Sequence, residues 1–357
     1  MIPSTSAEWR LRGKKGLDSL EFETAAPMPQ LGPSDVLVKL EAVSLNYRDA
    51  LLMQSSNPQP PPVIFILYPF KVNDDVVPGS GGAGTVVAVG NRVTTVDVGD
   101  RVVALYYQDH VAGPITERAI SSALGGAVDG VFREYAAFNE SGLVRIPARL
   151  SFAEASALPC AGLTAWSTLF GLSDKSVKPG DVILTQGTGG VSVFIMQFAL
   201  AAGAVVIATT SSDEKAAALE RLGVQHVINY KKDPAWGLTA KTFTRGGEGV
   251  DHVVVMSAAN TEQSLAAVRM EGVVSMVGFV GGWEEASMNQ AWFKACTVRT
   301  PNCGNRLQFE DMCKAVEATG IKPVLDASVF RFGDLKKAYQ YLWDQKHLGK
   351  VVVSISS

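Results

Sequence analysis

The residues whose types and spacing are best suited to chemistry are Gly187, Thr188, Gly189, Gly190, Val191 and Ser192. They follow a short apolar run, Val182–Ile183–Leu184, and lead into a helical apolar pattern that continues through Val193, Phe194 and Phe198. Strand, tight turn and helix form the setting in which a Gly-x-Gly-x-x-Gly pattern acquires a mechanism. Gly187 permits the turn, Gly189 lets a pyrophosphate approach the backbone, and the free N–H groups at the helix start meet its charge. The third position holds Ser192 in place of glycine, so the pattern alone is a weak sign of a dinucleotide site.

Such a loop must be carried by a particular set of elements, and the downstream sequence supplies them. A helix ends near Ala202, with Gly203 where a C-terminal cap belongs. Ala204 to Thr209 reads as a second buried strand, rich in β-branched residues as in a sheet covered on both faces. A helix capped by Ser212 or Asp213 follows, then a strand from His226 to Tyr230 and another from Val250 to Met256. Thr261 to Arg269 reads as a helix and Gly272 to Val280 as a fifth strand. This alternation predicts a doubly wound parallel sheet and makes the dinucleotide reading strong. The long uncharged run from Val191 to Thr210 divides into a helix and a strand at Gly203, so a membrane span is not expected.

The tip of the second strand selects between nicotinamide cofactors. An NAD site usually places Asp or Glu there to hold the ribose hydroxyls. This chain has Thr209–Thr210–Ser211–Ser212, and its first acid, Asp213, is placed to start a helix. Small hydroxyls at Ser211 and Ser212 with a nearby Lys215 accept a 2′-phosphate that an acid would repel. NADPH is therefore expected over NADH.

At 357 residues and 47% hydrophobic content, the chain has enough core for two domains. A net charge of −3 offers no footprint for nucleic acid. Cys160, Cys296, Cys303 and Cys313 lack Cys-x-x-Cys spacing and read as reduced thiols of a cytoplasmic protein. The N-terminus lacks the apolar core of a secretory signal. Before residue 150 the pattern is mostly β, with strands expected at Val36–Leu40, Gly84–Val89, Arg101–Leu105 and Phe132–Ala137. After about Lys322, strands at Ser328–Phe330 and Val351–Ile355 flank a helix from Gly333 to Lys346. The expected division is a mostly-β domain of residues 1–150 and 322–357, with a dinucleotide domain of residues 151–321 inserted. A cleft between two lobes would suit a ligand.

Several landmarks in order along the chain carry a family resemblance. They are Ser44–Leu45–Asn46–Tyr47–Arg48–Asp49, Pro78 to Gly84, Val98–Gly99–Asp100–Arg101–Val102, Leu158 to Trp166, the glycine loop and Gly349–Lys350–Val351–Val352. The chain resembles the medium-chain dehydrogenase/reductase superfamily in its zinc-independent, quinone-oxidoreductase-like and enoyl-reductase-like branch. The resemblance implies an α/β protein with a GroES-like catalytic domain and a Rossmann cofactor domain, in many members a homodimer. It implies that Asn46 lies beside the nicotinamide or substrate, that Thr164 and Lys350 contact the cofactor, and that Lys215 and Tyr230 bind the adenosine 2′-phosphate and ribose.

Zinc-dependent relatives carry Gly-His-Glu where this chain has Gly79–Ser80–Gly81, and the early catalytic cysteine is replaced within Ser44 to Asp49. A catalytic zinc needs about three ligands from His, Cys or carboxylate, and His110, His226, His252 and His347 are scattered. No zinc is expected. A metal-free site must stabilise the anion left by hydride transfer with hydrogen-bond donors, or use an acceptor that spreads the charge. That favours reduction of an activated C=C bond or a quinone, with Asn46 and Tyr47 as donors and Tyr68, Tyr106 and Tyr107 as weaker ones. Arg48 and Asp49 read as a local ion pair that shapes the loop. Phe65, Tyr68 and Tyr106 are expected to line an apolar pocket for a small molecule, covered by the proline-rich segment after Ser55. A zinc-free alcohol dehydrogenase or carbonyl reductase, and a dinucleotide-binding protein without turnover, are the competing readings.

Overall fold

A computed structural model of the chain describes residues 2–13, 15–55, 72–257, 261–278 and 288–356. Contacts divide the chain into two compact units, residues 1–163 with 305–357 and residues 164–304. Each is described by itself.

The first unit opens with an antiparallel ribbon of β1 (Thr5–Leu11) and β2 (Leu20–Pro27). The long strand β3 (Asp35–Ser44) then organises a sheet with β4 (Gly82–Val89), β5 (Arg101–Ala104), β6 (Tyr135–Asn139) and β7 (Leu143–Arg145). Its inward faces supply a core that includes Val36, Val38, Leu40, Val86 and Val102. β3 ends at Ser44, and the helix Tyr47–Ser55 begins almost at once. That junction becomes the centre of the site.

The second unit carries β8 (Val182–Gln186), β9 (Val205–Thr210), β10 (His226–Asn229), β11 (Val250–Val255), β12 (Val268–Met276) and β13 (Thr297–Arg299). All pairings are parallel and the order is β10-β9-β8-β11-β12-β13, a doubly wound Rossmann sheet. Ile183, Leu184, Val206, Ile207, Val253 and Val254 are buried, as strands covered on both faces require. The helix Gly190–Ala201 is buried along most of its length, which accounts for its apolar composition on all sides. Among the described residues, no helix is long and apolar enough to cross a membrane.

The chain then returns to the first unit as β14 (Leu325–Arg331) and β15 (Lys350–Ser354). β15 inserts between β14 and β3, parallel to the former and antiparallel to the latter. The helix Arg306–Thr319 also belongs to this unit, because Arg306 bonds through its backbone to His110 and through its guanidinium to Glu140 and Ser141. Residues 151–163 and 305–321 therefore make their contacts with the first unit, where the sequence pattern places them in the second.

Two strands differ from expectation. The strand expected at Phe132–Ala137 forms at Tyr135–Asn139. Phe132 is instead a core residue, its N–H bonded to Pro78 O and its ring 5.9 Å from Tyr339. The strand expected at Gly272–Val280 begins at Val268, which pairs with Val250, and the preceding helix stops at Ala267. Residues 279 and 280 lie outside the described residues.

Candidate active site

At the end of β3 the backbone turns at Asn46 into the helix Tyr47–Ser55. Asn46 O accepts from Asp49 N at 2.9 Å, and Asp49 Oδ2 accepts in return from Asn46 N at 3.1 Å. This is the carboxylate half of a capping box, a device the Asn-x-x-Asp spacing announces. It brings two polar side chains into the core, where Asn46 is 6% and Asp49 1% exposed.

Ser80 completes the cluster and is fully buried. Its hydroxyl accepts from Asn46 Nδ2 at 3.0 Å and donates to Asp49 Oδ1 at 2.9 Å. Arg48 shares that carboxylate oxygen, with Nη1 3.0 Å from Asp49 Oδ1 and 2.9 Å from Leu124 O. The expected Arg48–Asp49 pair is thus present, and the guanidinium also lies 4.8 Å from the centre of the buried Tyr106 ring. Burial pushes the Asp49 carboxyl above its usual value, opposed chiefly by Arg48.

Lys350 enters from the start of β15. Gly349 turns the chain there at φ +71°, and a Cβ on it would sit 2.3 Å from Val324 O. The Lys350 ammonium donates to Leu45 O and, at 2.5 Å, to Asn46 Oδ1. Burial pushes its pKa down to about 8, while Cys160 and Asp49 pull it upward. The network therefore runs from Lys350 through the Asn46 amide and the Ser80 hydroxyl to Asp49.

Tyr47 lies at the same junction, but its ring stacks on Trp343 at 5.8 Å and nearly parallel. Burial raises its phenol above the usual value. Phe65, Tyr68 and the proline run Pro58 to Pro62 lie outside the described residues. His110 is buried, with Nε2 3.0 Å from Gly113 O.

These residues do not fit a zinc ion. Ser80, where zinc-dependent relatives carry a histidine, accepts from Asn46 Nδ2, and Asn46 Oδ1 in turn accepts from the ammonium of Lys350, which would repel a divalent cation. Among the described residues, no group of three His, Cys, Asp or Glu could hold a metal.

The second unit builds the dinucleotide cradle. Gly187 adopts φ +75°, and a Cβ there or at Gly189 would meet nothing within 4 Å. The space above the loop is open, as an approaching pyrophosphate needs. Gly189 caps the helix, leaving the first-turn N–H groups from Gly190 onward as donors. Ser192, the departure from the glycine pattern, is buried and donates to Gln186 O at 2.7 Å, which ties the helix to β8. Gln186 was not signalled by any motif. Its side chain donates to Ser264 and accepts from Met256 N and Ser257 N, joining the carboxyl ends of β8 and β11.

At the tip of β9, Ser212 caps the next helix through Lys215 N. The nearby acid Asp213 is engaged by Lys232 at 2.6 Å and Asn229 at 2.8 Å. Ser211, Ser212 and Lys215 are half-buried and Tyr230 is exposed, so the 2′-phosphate candidates border one edge. Thr164 begins this unit, with a buried side chain and its carbonyl accepting from Thr168 Oγ1.

Comparison with known proteins agrees with both units. Residues 32–148 match the alcohol dehydrogenase GroES-like domain, and residues 190–318 match the zinc-binding dehydrogenase family. A zinc-type alcohol dehydrogenase-like protein of Schizosaccharomyces pombe is 43% identical over 347 residues, covering 95% of this chain and 96% of its own. The 2-methylene-furan-3-one reductase of Solanum lycopersicum is 30% identical, covering 99% of this chain and 80% of its own. A solved structure from Sinorhizobium meliloti, assigned as an alcohol dehydrogenase, superposes with a TM-score of 0.88 at 35% identity, covering 99% of this chain and 100% of its own. The fold and site define a two-domain nicotinamide-dependent oxidoreductase with a GroES-like and a Rossmann domain. The chain belongs to the medium-chain dehydrogenase/reductase superfamily.

Proposed function

We propose that this protein is an NADPH-dependent, metal-free reductase of activated C=C bonds, such as those of enones and enoyl groups, or of quinones. The observation that carries the reading is the closed Lys350–Asn46–Ser80–Asp49 network, built around Ser80 where zinc-dependent relatives carry the histidine of Gly-His-Glu. Without a Lewis acid, an acceptor that delocalises the incoming negative charge is favoured over an isolated ketone. The Solanum lycopersicum relative, named as a reductase of a 2-methylene-furan-3-one, supports that substrate class.

NADPH supplies the hydride. The loop from Gly187 to Val191 binds the pyrophosphate through backbone N–H groups, and Ser211, Ser212 and Lys215 receive the 2′-phosphate, with Tyr230 beside the adenosine ribose. Engagement of Asp213 by Lys232 and Asn229 reduces the repulsion an acid would exert there. Asn46 donates a hydrogen bond to the oxygen on which charge develops. Tyr47, with a raised pKa and a stacked ring, borders the substrate, and the proton is taken from solvent. The working unit is a cytoplasmic homodimer.

Oxidation of NADPH measured against a panel of enones, quinones, aldehydes and alcohols tests this. Turnover with enones or quinones alone is expected. Turnover with aldehydes, or reversal with alcohols, would make it a carbonyl reductase. Cofactor binding without any turnover would make it a binding protein. Stoichiometric zinc in the active preparation would overturn the metal-free mechanism.

A further inference from the structure

The family resemblance makes the buried lysine of this network a cofactor contact, but its ammonium is bonded to Leu45 O and the Asn46 amide. We propose that Lys350 is the positioning residue of the site: its ammonium fixes the Asn46 amide and polarises it, serving as the fixed positive centre that a metal provides in zinc-dependent relatives. The inference rests on the reading of Asn46 as the donor to the reacting oxygen.

The geometry is specific. Lys350 is 4% exposed, and two acceptors, Leu45 O and Asn46 Oδ1, hold its ammonium. A charge-assisted bond to the amide oxygen withdraws density from the amide and strengthens its N–H groups as donors. One of those N–H groups is used on Ser80, whose hydroxyl is in turn held by Asp49. The amide is therefore locked in a single orientation, with Oδ1 toward the ammonium and Nδ2 toward the hydroxyl. Its second N–H is the group left for a substrate oxygen. The flip that would present Oδ1 instead would set the amide nitrogen against the ammonium.

The titratable groups that act on the amine are Asp49 from the helix Tyr47–Ser55 and Cys160 from the turn Leu158–Gly162, and Asp49 in turn faces Arg48 and Tyr339, the latter from the helix Leu335–Trp343. Tyr339 is fully buried and its phenol is raised well above its ordinary value, so it stays neutral. Asp49 is paired to Arg48, and the ammonium of Lys350 is the charge in direct contact with the Asn46 amide. As the amine loses its proton near pH 8, the amide keeps its place but loses its polarising charge.

The test follows the amide directly. The side-chain amide of Asn46 is observed by NMR in the full-length protein labelled with 15N-asparagine, assigned by its loss in Asn46→Ser, between about pH 6 and about pH 10. Its signal should titrate with a midpoint near 8 in the unsubstituted protein and stay flat in Lys350→Met. A flat signal in the unsubstituted protein, or an equal titration in Lys350→Met, overturns the inference. In turnover, Lys350→Met should lower kcat about 100-fold, with KM for NADPH nearly unchanged. In the unsubstituted protein kcat should fall above about pH 8, and Lys350→Arg should recover part of kcat without that fall. A rise in KM for NADPH with kcat intact would instead make Lys350 a cofactor-binding residue. If the unsubstituted protein reduces no acceptor, the proposed reaction fails, while the NMR titration still decides the role of the amine.

Discussion

At the scale of single residues, Ser80 is the hinge of the network, because its side chain bonds both Asn46 and Asp49. Ser80→Ala takes the Asn46 Nδ2 acceptor away in a buried place, while the Asp49 carboxylate keeps Arg48 and Asn46 N. The expected loss is about 1–3 kcal/mol of stability, with a fall in kcat larger than any change in KM for NADPH. Calorimetry and steady-state kinetics on one preparation check both, and a variant as active and stable as the parent would remove Ser80 from the site. His252 makes a separate prediction in the second unit. Its Nε2 is 4.0 Å from Asp181, yet burial outweighs that carboxylate and pushes the imidazole down to about 4 from 6.5. The folded state therefore binds fewer protons than the unfolded chain between those values. Its contribution is full above about pH 6.5 and is lost as pH falls toward 4, by about 3 kcal/mol. Urea midpoints across that window should fall less steeply in His252→Gln; parallel curves would rule the account out.

At the scale of elements, the site depends on two junctions, one at the end of a strand and one at the start of another, that place polar residues in the core. One is the β3-to-helix turn at Asn46, and the other is the turn at Gly349 that launches β15. Gly349→Ala must accommodate a Cβ against Val324 O at positive φ. It should cost about 1–3 kcal/mol and displace Lys350, lowering kcat more than a surface Gly→Ala change of equal stability cost. Comparing the two variants by thermal melting and kinetics tests this, and equal activity would show that the turn does not position the lysine. The elements themselves were largely legible. β8, the glycine-loop helix, β9 and β10 fall within a residue or so of expectation, because a buried parallel sheet writes continuous apolar runs separated by glycine. β6 and β12 were misplaced for a common reason. Phe132 and Val268 have strand-like character, but Phe132 serves the core outside a strand and Val268 opens one before a break. Only the partner opposite each residue distinguishes the two cases.

At the scale of the whole molecule, cofactor binding is the link between the Rossmann unit and stability. A ligand that binds only the folded state stabilises it by about 2.7 kcal/mol at a hundredfold excess over Kd. NADPH should raise Tm more than NADH at equal concentration, and Lys215→Ala should abolish the difference while leaving the NADH shift in place. Equal shifts in the unsubstituted protein would sink the 2′-phosphate assignment. The sequence by itself determined the Rossmann sheet, the dinucleotide loop and the return of the C-terminal strand to the first unit. Those depend on local periodicity, glycine placement and residue type, all of which are written along the chain. Tertiary structure alone decided that Lys350, separated by some three hundred residues from Asn46, donates to its amide, and that Ser80 joins that amide to Asp49. Hydrogen bonds between buried side chains depend on which strands become neighbours: β15 beside β3 brings Lys350 to Asn46, and β4 on the other edge of β3 brings Ser80.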